Sequence, residues 1–345
     1  MGPFKGLRPR GRLAGAWFLI IVAVVGWTVT SLLALAPDGT WTAKTSLPVT
    51  LSSHGAATIG GTVYLVGGFT DPLPVYATNT FAYSLATNNW TNKSGLTTKR
   101  AGLGVAAVGG KIYAIGGCGG AYCATPFTTN EMYDPDYDTW TLKAPLPAPR
   151  VFMAAGAVNG FVYVVSGSDG VTGLVDTNYR YDPFGNTWTT VKPVPTRRYS
   201  SAAGVVGGIL YVVGGSGINS SVPYNIVEAY DPLSDTWSTK APMPTPRQGL
   251  AVGVVNGILY AVGGQAPDGT NLTAVEAYNP ATDTWTSVTP IPGNGRLGLG
   301  AVGAGGSLFA TGGAVPGGRL ASNEMFTPVG DDDGIDTAID TNGGT

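Results

Sequence analysis

Charge, histidine and cysteine are all scarce in this sequence of 345 residues, and each scarcity removes a class of function. Only 12% of the residues are charged, the formal net charge is -2, and no basic run follows residue 12. A nucleic-acid binder needs a basic patch or stripe to displace counterions from phosphates, so that class is set aside. One histidine, His54, and two cysteines, Cys118 and Cys123, fall short of the four ligands of a structural zinc site, and the imidazole lies far from the thiols in sequence. No metal and no cofactor is expected. Cys118 and Cys123 share one loop, where an oxidising compartment would join them in a local disulfide.

A further absence marks the N-terminus, where no charged residue occurs from Leu13 to Ala36 after a flank carrying Lys5, Arg8, Arg10 and Arg12. Such a run exceeds a signal-peptide core and matches the roughly 20 residues of a membrane span, with the basic flank held in the cytoplasm. Ala34-Leu35-Ala36 has the form of a cleavage site, but Pro37 is a poor residue after a cut, so an uncleaved signal anchor is favoured over secretion. The sequence therefore divides into a basic flank (1–12), an anchor or signal peptide (13–36), a main domain (37–328) and an acidic tail (329–345). The tail contains Asp331-Asp332-Asp333-Gly334 but lacks the glutamate that would complete a calcium loop.

What is abundant is glycine, proline and aromatics, at 53 Gly, 25 Pro, 8 Trp and 16 Tyr, which suits short strands joined by tight turns rather than helices. Hydrophobic runs end in a Gly pair at Gly67, Gly116, Gly214, Gly263 and Gly312, and Ser166-Gly167 is a sixth, altered copy. Trp41, Trp90, Trp140, Trp188, Trp237 and Trp285 form a second series with the same spacing of 48 to 50 residues. A Tyr-Asp-Pro turn, as at Tyr133, Tyr181 and Tyr230, leads into the Trp. A fixed period of this length marks a repeat architecture.

These residues resemble the kelch repeat family over about residues 41 to 328, which implies an all-β, six-bladed β-propeller of four-stranded antiparallel blades. The unit near residue 260 reads as an inner strand from Gln248 to Val255, a second from Ile258 to Gly263, a third from Ala274 to Tyr278 and an outer strand from Thr284 to Val288. Gly55, Gly104, Ala154, Ala202, Ala251 and Gly300 align on the inner strand, where only small residues let blades crowd around an axis. The last unit has no Trp, while Thr40 to Thr45 is an outer strand without a blade, so the two are expected to pair and close the ring.

His54 falls in an apolar column and reads as a core residue. The galactose-oxidase relatives of this fold hold copper with two His and two Tyr, a set that one histidine cannot supply. Arg100, Arg150, Arg198, Arg247 and Arg296 recur just before the inner strand, and two readings stay open. They form an anion-binding ring at a channel mouth, or they serve the scaffold by pairing with Glu131, Glu228, Glu276 or Glu324.

Kelch proteins that bind peptides use the residue after the Gly pair, the loop behind it and the start of the inner strand. By that resemblance the contact residues are Phe69, Tyr76, Tyr122, Phe127, Asp169, Tyr199, Tyr224, Gln265, Asp268 and Arg319, in loops that vary while the strands hardly do. The expected function is an extracytoplasmic module binding a protein or carbohydrate, an anionic one if the arginines form a ring. The alternative is a metal-independent sugar mutarotase or epimerase similar to the exported kelch sialic-acid mutarotases, for which no catalytic residue aligns.

Overall fold

The computed structural model describes residues 38–72, 75–120, 123–217 and 222–329. The anchor and most of the acidic tail, expected from sequence, lie outside the described residues, as does the hydrophobic helix expected at 13–36. Among the described residues no helix is long and apolar enough to cross a membrane.

The described residues form six four-stranded antiparallel sheets, whose inner strands Gly55–Ile59, Gly104–Val108, Ala154–Val158, Ala202–Val206, Ala251–Val255 and Gly300–Ala304 touch in sequence order and close back on the first. These are blades one to six. Blade five continues through Ile258–Val262, Val275–Asn279 and Thr284–Val288. Its inner strand begins at Ala251 rather than Gln248, because Gly249 has a φ of +61° and breaks the extended run.

The small column at the head of each inner strand faces the next blade. A Cβ on Gly104 would come 2.8 Å from Ala155 Cβ of blade three, and one on Gly300 would come 2.6 Å from His54 Nε2 at the start of blade one. Neighbouring sheets could not approach with larger residues there. The following residues, Ala56, Val105, Ala155, Ala203, Val252 and Ala301, line the axial channel, a cavity of about 240 Å³.

The tryptophan period has a hydrogen-bonding cause. Each indole N–H reaches a carbonyl just past the outer strand of the preceding blade: Trp90 to Thr45, Trp140 to Ser94, Trp188 to Ala144, Trp237 to Lys192, Trp285 to Ala241 and Trp41 to Thr289, all at 2.8–3.0 Å. The turn before the Trp adds a second latch. Asp138 Oδ1 accepts the Tyr133 hydroxyl and the Ser94 N–H, and Asp235 and Asp283 repeat the arrangement with Tyr230 and Lys192, and with Tyr278 and Ala241. Each such bond contributes about 0.5–1.5 kcal/mol net, and together they lock every blade to its neighbour.

Around the channel mouth the six residues two places beyond the repeat arginine position form a closed ring of backbone hydrogen bonds. Ser53 N–H donates to the Gly298 carbonyl, Gly102 to Ser53, Phe152 to Gly102, Ser200 to Phe152, Gly249 to Ser200 and Gly298 to Gly249, at 2.6–2.9 Å. All six hold φ between 50° and 62°. Three are not glycine, so the ring is kept against a left-handed penalty of roughly 1–2 kcal/mol at each of Ser53, Phe152 and Ser200.

Blade six is built from both ends of the domain, since Gly39–Ala43 pairs antiparallel with Asn323–Pro328 in the register Trp41↔Phe326. Val329 N–H donates to the Asp38 carbonyl at 2.7 Å, and the Thr289 hydroxyl donates to Asp38 Oδ1 at 2.6 Å. The strand Asn323–Pro328 thereby has the outer partner that the C-terminal part of the domain does not supply.

Candidate functional site: the loop end of the propeller

The two ends of the channel differ in chemistry. At one end the first two strands of each blade are joined by two-residue turns, Gly60-Gly61, Gly109-Gly110, Asn159-Gly160, Gly207-Gly208, Asn256-Gly257 and Gly305-Gly306. Both residues of every turn have positive φ, the geometry of tight hairpins, which restricts the sequence to Gly and Asn. The opposite end carries the longer loops after the Gly pairs and the starts of the inner strands. Side chains with binding chemistry collect there.

The five repeat arginines lie inside the blades at that end, 0–2% exposed. Arg100 pairs with Glu131 at 3.1 Å, Arg247 with Glu276 at 2.6 Å, Arg296 with Glu324 at 2.5 Å, and Arg198 with Glu228. Each guanidinium also donates to backbone carbonyls or a hydroxyl, as Arg247 Nη1 does to Ala274 at 2.9 Å. The carboxylates reach on to the connection entering the blade, where Glu276 Oε1 accepts the Thr245 hydroxyl at 2.6 Å. Burial pulls Arg100 down to about 10, against the opposing pull of Glu131. As placed, these guanidinium groups face their own blades and present no cationic ring to the channel mouth. Blade three departs from the pattern, with Tyr179 where the other four arginine-bearing blades have Glu, while blade one has Leu51 and Phe81 at the two positions. Arg150 lies over the Tyr179 ring at 5.2 Å and donates to Thr177 Oγ1 and the Pro149 carbonyl.

Ser166, the departure from the Gly pair in the same blade, keeps a positive φ of 58°. Its hydroxyl accepts the Arg198 N–H at 2.8 Å and lies 2.7 Å from the Val175 and Arg198 carbonyls, so the side chain repeats a contact that elsewhere is backbone alone.

The loop residues singled out by sequence divide into two groups. Phe69, Tyr76, Phe127, Asp169 and Arg319 hold loops together. Arg319 donates through Nε to Ser52 Oγ at 2.8 Å, pairs with Asp71 at 2.9 Å, and sits 5.2 Å over the Phe69 ring, tying blade six to blade one. The buried Tyr76 hydroxyl donates to the Gly120 carbonyl at 2.6 Å and accepts the Cys123 N–H at 2.8 Å, fixing the loop closed by the Cys118–Cys123 disulfide. A Cβ on Gly119 would lie 2.7 Å from Phe127, which covers the same loop. Burial works to raise the Asp169 carboxyl, but the Thr172 hydroxyl and the N–H groups of Val171, Thr172 and Gly173 hold it down at about 2.

The second group is half-buried around blades four and five. Tyr199 and Tyr224 flank the loop of blade four, and Gln265 meets Gln248 and Asn271 on blade five. Asp268 is exposed and accepts the Thr270 N–H at 2.9 Å. Tyr122 lies outside the described residues. Sequence reasoning passed over Gln248 and Asn271, whose signal was position: one directly follows a repeat arginine, the other closes the loop that Gln265 opens.

The channel itself is poor in chemistry, with a wall of Ala, Val and Gly side chains and no acid or base among its described lining residues. His54 stands behind that wall, its Nε2 3.0 Å from Thr311 Oγ1, and burial depresses its pKa to about 3. Among the described residues no cluster of three His, Cys, Asp or Glu side chains could hold a metal ion.

Comparison with known proteins agrees with this architecture. The structure of YjhT superimposes with a TM-score of 0.71 at 17% sequence identity, covering 83% of this chain and 97% of that one. No curated protein sequence matches. The family descriptions that match are the KLHDC2/KLHL20/DRC7 Kelch-repeats domain over residues 102–313 and the Kelch motif over residues 50–97. With the first of these covering more than half of its length, the chain belongs to the kelch repeat family.

Proposed function

We propose that this protein is an extracytoplasmic binding module, held at the membrane by residues 13–36, that presents the loop end of its propeller to a protein or glycan. The observation that carries this reading is the contrast between the channel ends. Variable aromatic, amide and hydroxyl side chains gather at one end, while the other end and the channel wall offer Gly, Ala, Val and Asn. Fixed scaffold with variable loops is where recognition usually resides. The mutarotase alternative needs a proton donor and acceptor beside the sugar, and no described channel residue supplies either.

The test is ligand capture by the full-length protein on combined peptide and glycan arrays, repeated with Tyr224→Ala at the loop end and Asn256→Gly in a turn. The reading expects Tyr224→Ala to weaken capture about tenfold or more, with Asn256→Gly unchanged. Equal loss from both, or from Asn256→Gly alone, would reject it. Protease added outside intact cells should degrade the propeller, and full protection until lysis would reject the extracytoplasmic placement.

A further inference from the structure

The loop end is not chemically uniform around the ring. From blade five through blade six to blade three, neighbouring loops are joined. Asn271 Nδ2 donates to the Ala314 carbonyl at 3.2 Å, Arg319 spans to Asp71 and Ser52, Tyr76 spans to Gly120 and Cys123, and Gly170 packs on Pro126. Two charged groups on this arc are spent internally, Arg319 on Asp71 and Asp169 on its own loop.

The arc over blades four and five has another composition. Tyr199 and Gln248 stand beside each other, because the Gly249 N–H next to Gln248 donates to the carbonyl of Ser200 next to Tyr199 at 2.8 Å. Gln248 Nε2 is 3.3 Å from Gln265 Oε1, and Gln265 Nε2 is 3.4 Å from Asn271 Oδ1, a chain of amides running outward along the blade. Tyr224 borders it from the blade-four loop, its hydroxyl so close over Gly217 that a side chain there would collide with it. Gln248 Oε1, at the inner end of the amide chain, is buried without a hydrogen-bond partner, an acceptor that the fold itself leaves unsatisfied. The loop segments 216–226 and 264–271 contain one charged residue, Asp268, whose carboxylate caps its own turn.

Half-buried tyrosine rings supply flat apolar faces with a polar rim, and amides supply a donor and an acceptor side by side. The cations nearest the arc are already engaged: Arg198 and Arg247 beneath it are buried against Glu228 and Glu276, and the exposed Arg197 lies 3.8 Å from Asp176 on blade three, so an acidic ligand would have to displace that carboxylate. A pyranose ring has the matching chemistry, with an apolar C–H face to lie on an aromatic ring and hydroxyls that both donate and accept. We propose that the arc formed by Tyr199, Tyr224, Gln248, Gln265 and Asn271 is a subsite for a neutral oligosaccharide. This rests on the loop-end reading and narrows it to one sector and one ligand class.

The test uses the full-length protein and arrays of neutral hexose and N-acetylhexosamine oligomers, with sialylated and sulfated oligomers and peptides beside them. A neutral oligomer should bind, and its affinity should change less than about twofold between 50 and 500 mM NaCl, because no ion pair is made. Tyr199→Ala and Gln265→Ala should weaken it about tenfold or more, Tyr199→Phe should retain it within about threefold, and Phe184→Ala, exposed on a blade-three turn at the opposite end, should leave it unchanged. Binding only of acidic oligomers, affinity that falls steeply with salt, or no neutral oligomer bound would overturn the assignment. Capture of peptides alone, lost on Phe69→Ala, would keep the loop end as the binding face while rejecting this subsite. Capture insensitive to every loop-end substitution would reject both.

Discussion

The two ends of the channel are made by the same repeat and answer to different constraints. At the turn end a hairpin of two residues with positive φ admits Gly or Asn and little else, so six copies stay nearly alike. At the loop end the fixed points are the Gly pair, the buried arginine and the backbone ring, and the intervening loop has no such limit. The difference shows that stability in this propeller is carried by recurring positions beneath the loops, which leaves the loop side chains free to differ. It also separates side chains at the same end: the five repeat arginines are fully buried in the blades, whereas Tyr199 and Tyr224 are only half-buried in the loops above them.

The contrast is broken most severely by removing the strand that both ends share. Deleting Gly39–Ala43 strips blade six of its outer strand and exposes the edge of Asn323–Pro328, so thermal unfolding should fall by more than about 10 °C, with aggregation. A melting curve within a few degrees of the intact protein would mean that the ring is closed by other contacts.

A second comparison sets two buried arginines against each other. Arg198→Met leaves Glu228 as a buried carboxylate without its cation, at a cost of about 3–5 kcal/mol in denaturant unfolding. Arg150→Met abandons no carboxylate, only Thr177, Tyr179 and a backbone carbonyl, and should cost less, about 1–2 kcal/mol. Equal costs would show that packing, rather than the buried ion pair, decides what the arginine contributes.

Acid provides a smaller effect with a defined sign. His54 is neutral when folded, with a pKa depressed to about 3 by burial, whereas an unfolded histidine titrates near 6.5. Its contribution is therefore complete above about pH 6.5 and is lost as pH falls toward 3, at a slope of at most about 1.4 kcal/mol per pH unit. His54→Gln should flatten stability against pH across that window. An unaltered slope would place the acid sensitivity elsewhere. The smallest change is Trp237→Phe, which removes one indole donor to the Lys192 carbonyl and should cost roughly 0.5–1.5 kcal/mol, plus a small packing loss.

Much of the scaffold was legible in the sequence because it repeats. The Trp and Gly-pair spacing gave the blade count, and the unpaired Trp41 pointed to the shared sixth blade, which the register with Phe326 reproduces. What the tryptophans do was not legible, since five of the indoles reach carbonyls about 45 residues earlier in the chain and Trp41 reaches Thr289, 248 residues later. The backbone ring was hidden for another reason. Gly102, Gly249 and Gly298 could suggest left-handed backbone, but Ser53, Phe152 and Ser200 at the same positions carry no such sign.

The loop end was readable only as a region. Tyr76 and Arg319 were expected as contacts alongside Tyr199 and Gln265, but they bridge neighbouring loops. Composition alone does not tell an aromatic that seals a loop from one that faces outward. The arginines shared that ambiguity until their glutamate partners, 28 to 31 residues away, were seen beside them.

The central claim, that the loop tyrosines and amides recognise while the arginines beneath them support, is tested most directly by one paired measurement. Affinity for an array-selected ligand and unfolding free energy are determined for Tyr199→Ala and Arg247→Ala in the full-length protein. The account predicts that Tyr199→Ala loses about tenfold or more in affinity with stability changed by less than about 1 kcal/mol. Arg247→Ala should lose about 3–5 kcal/mol of stability, while the protein that remains folded binds as before. The reverse pattern, affinity lost through Arg247 with stability intact, would contradict the account and return the arginines to the binding surface.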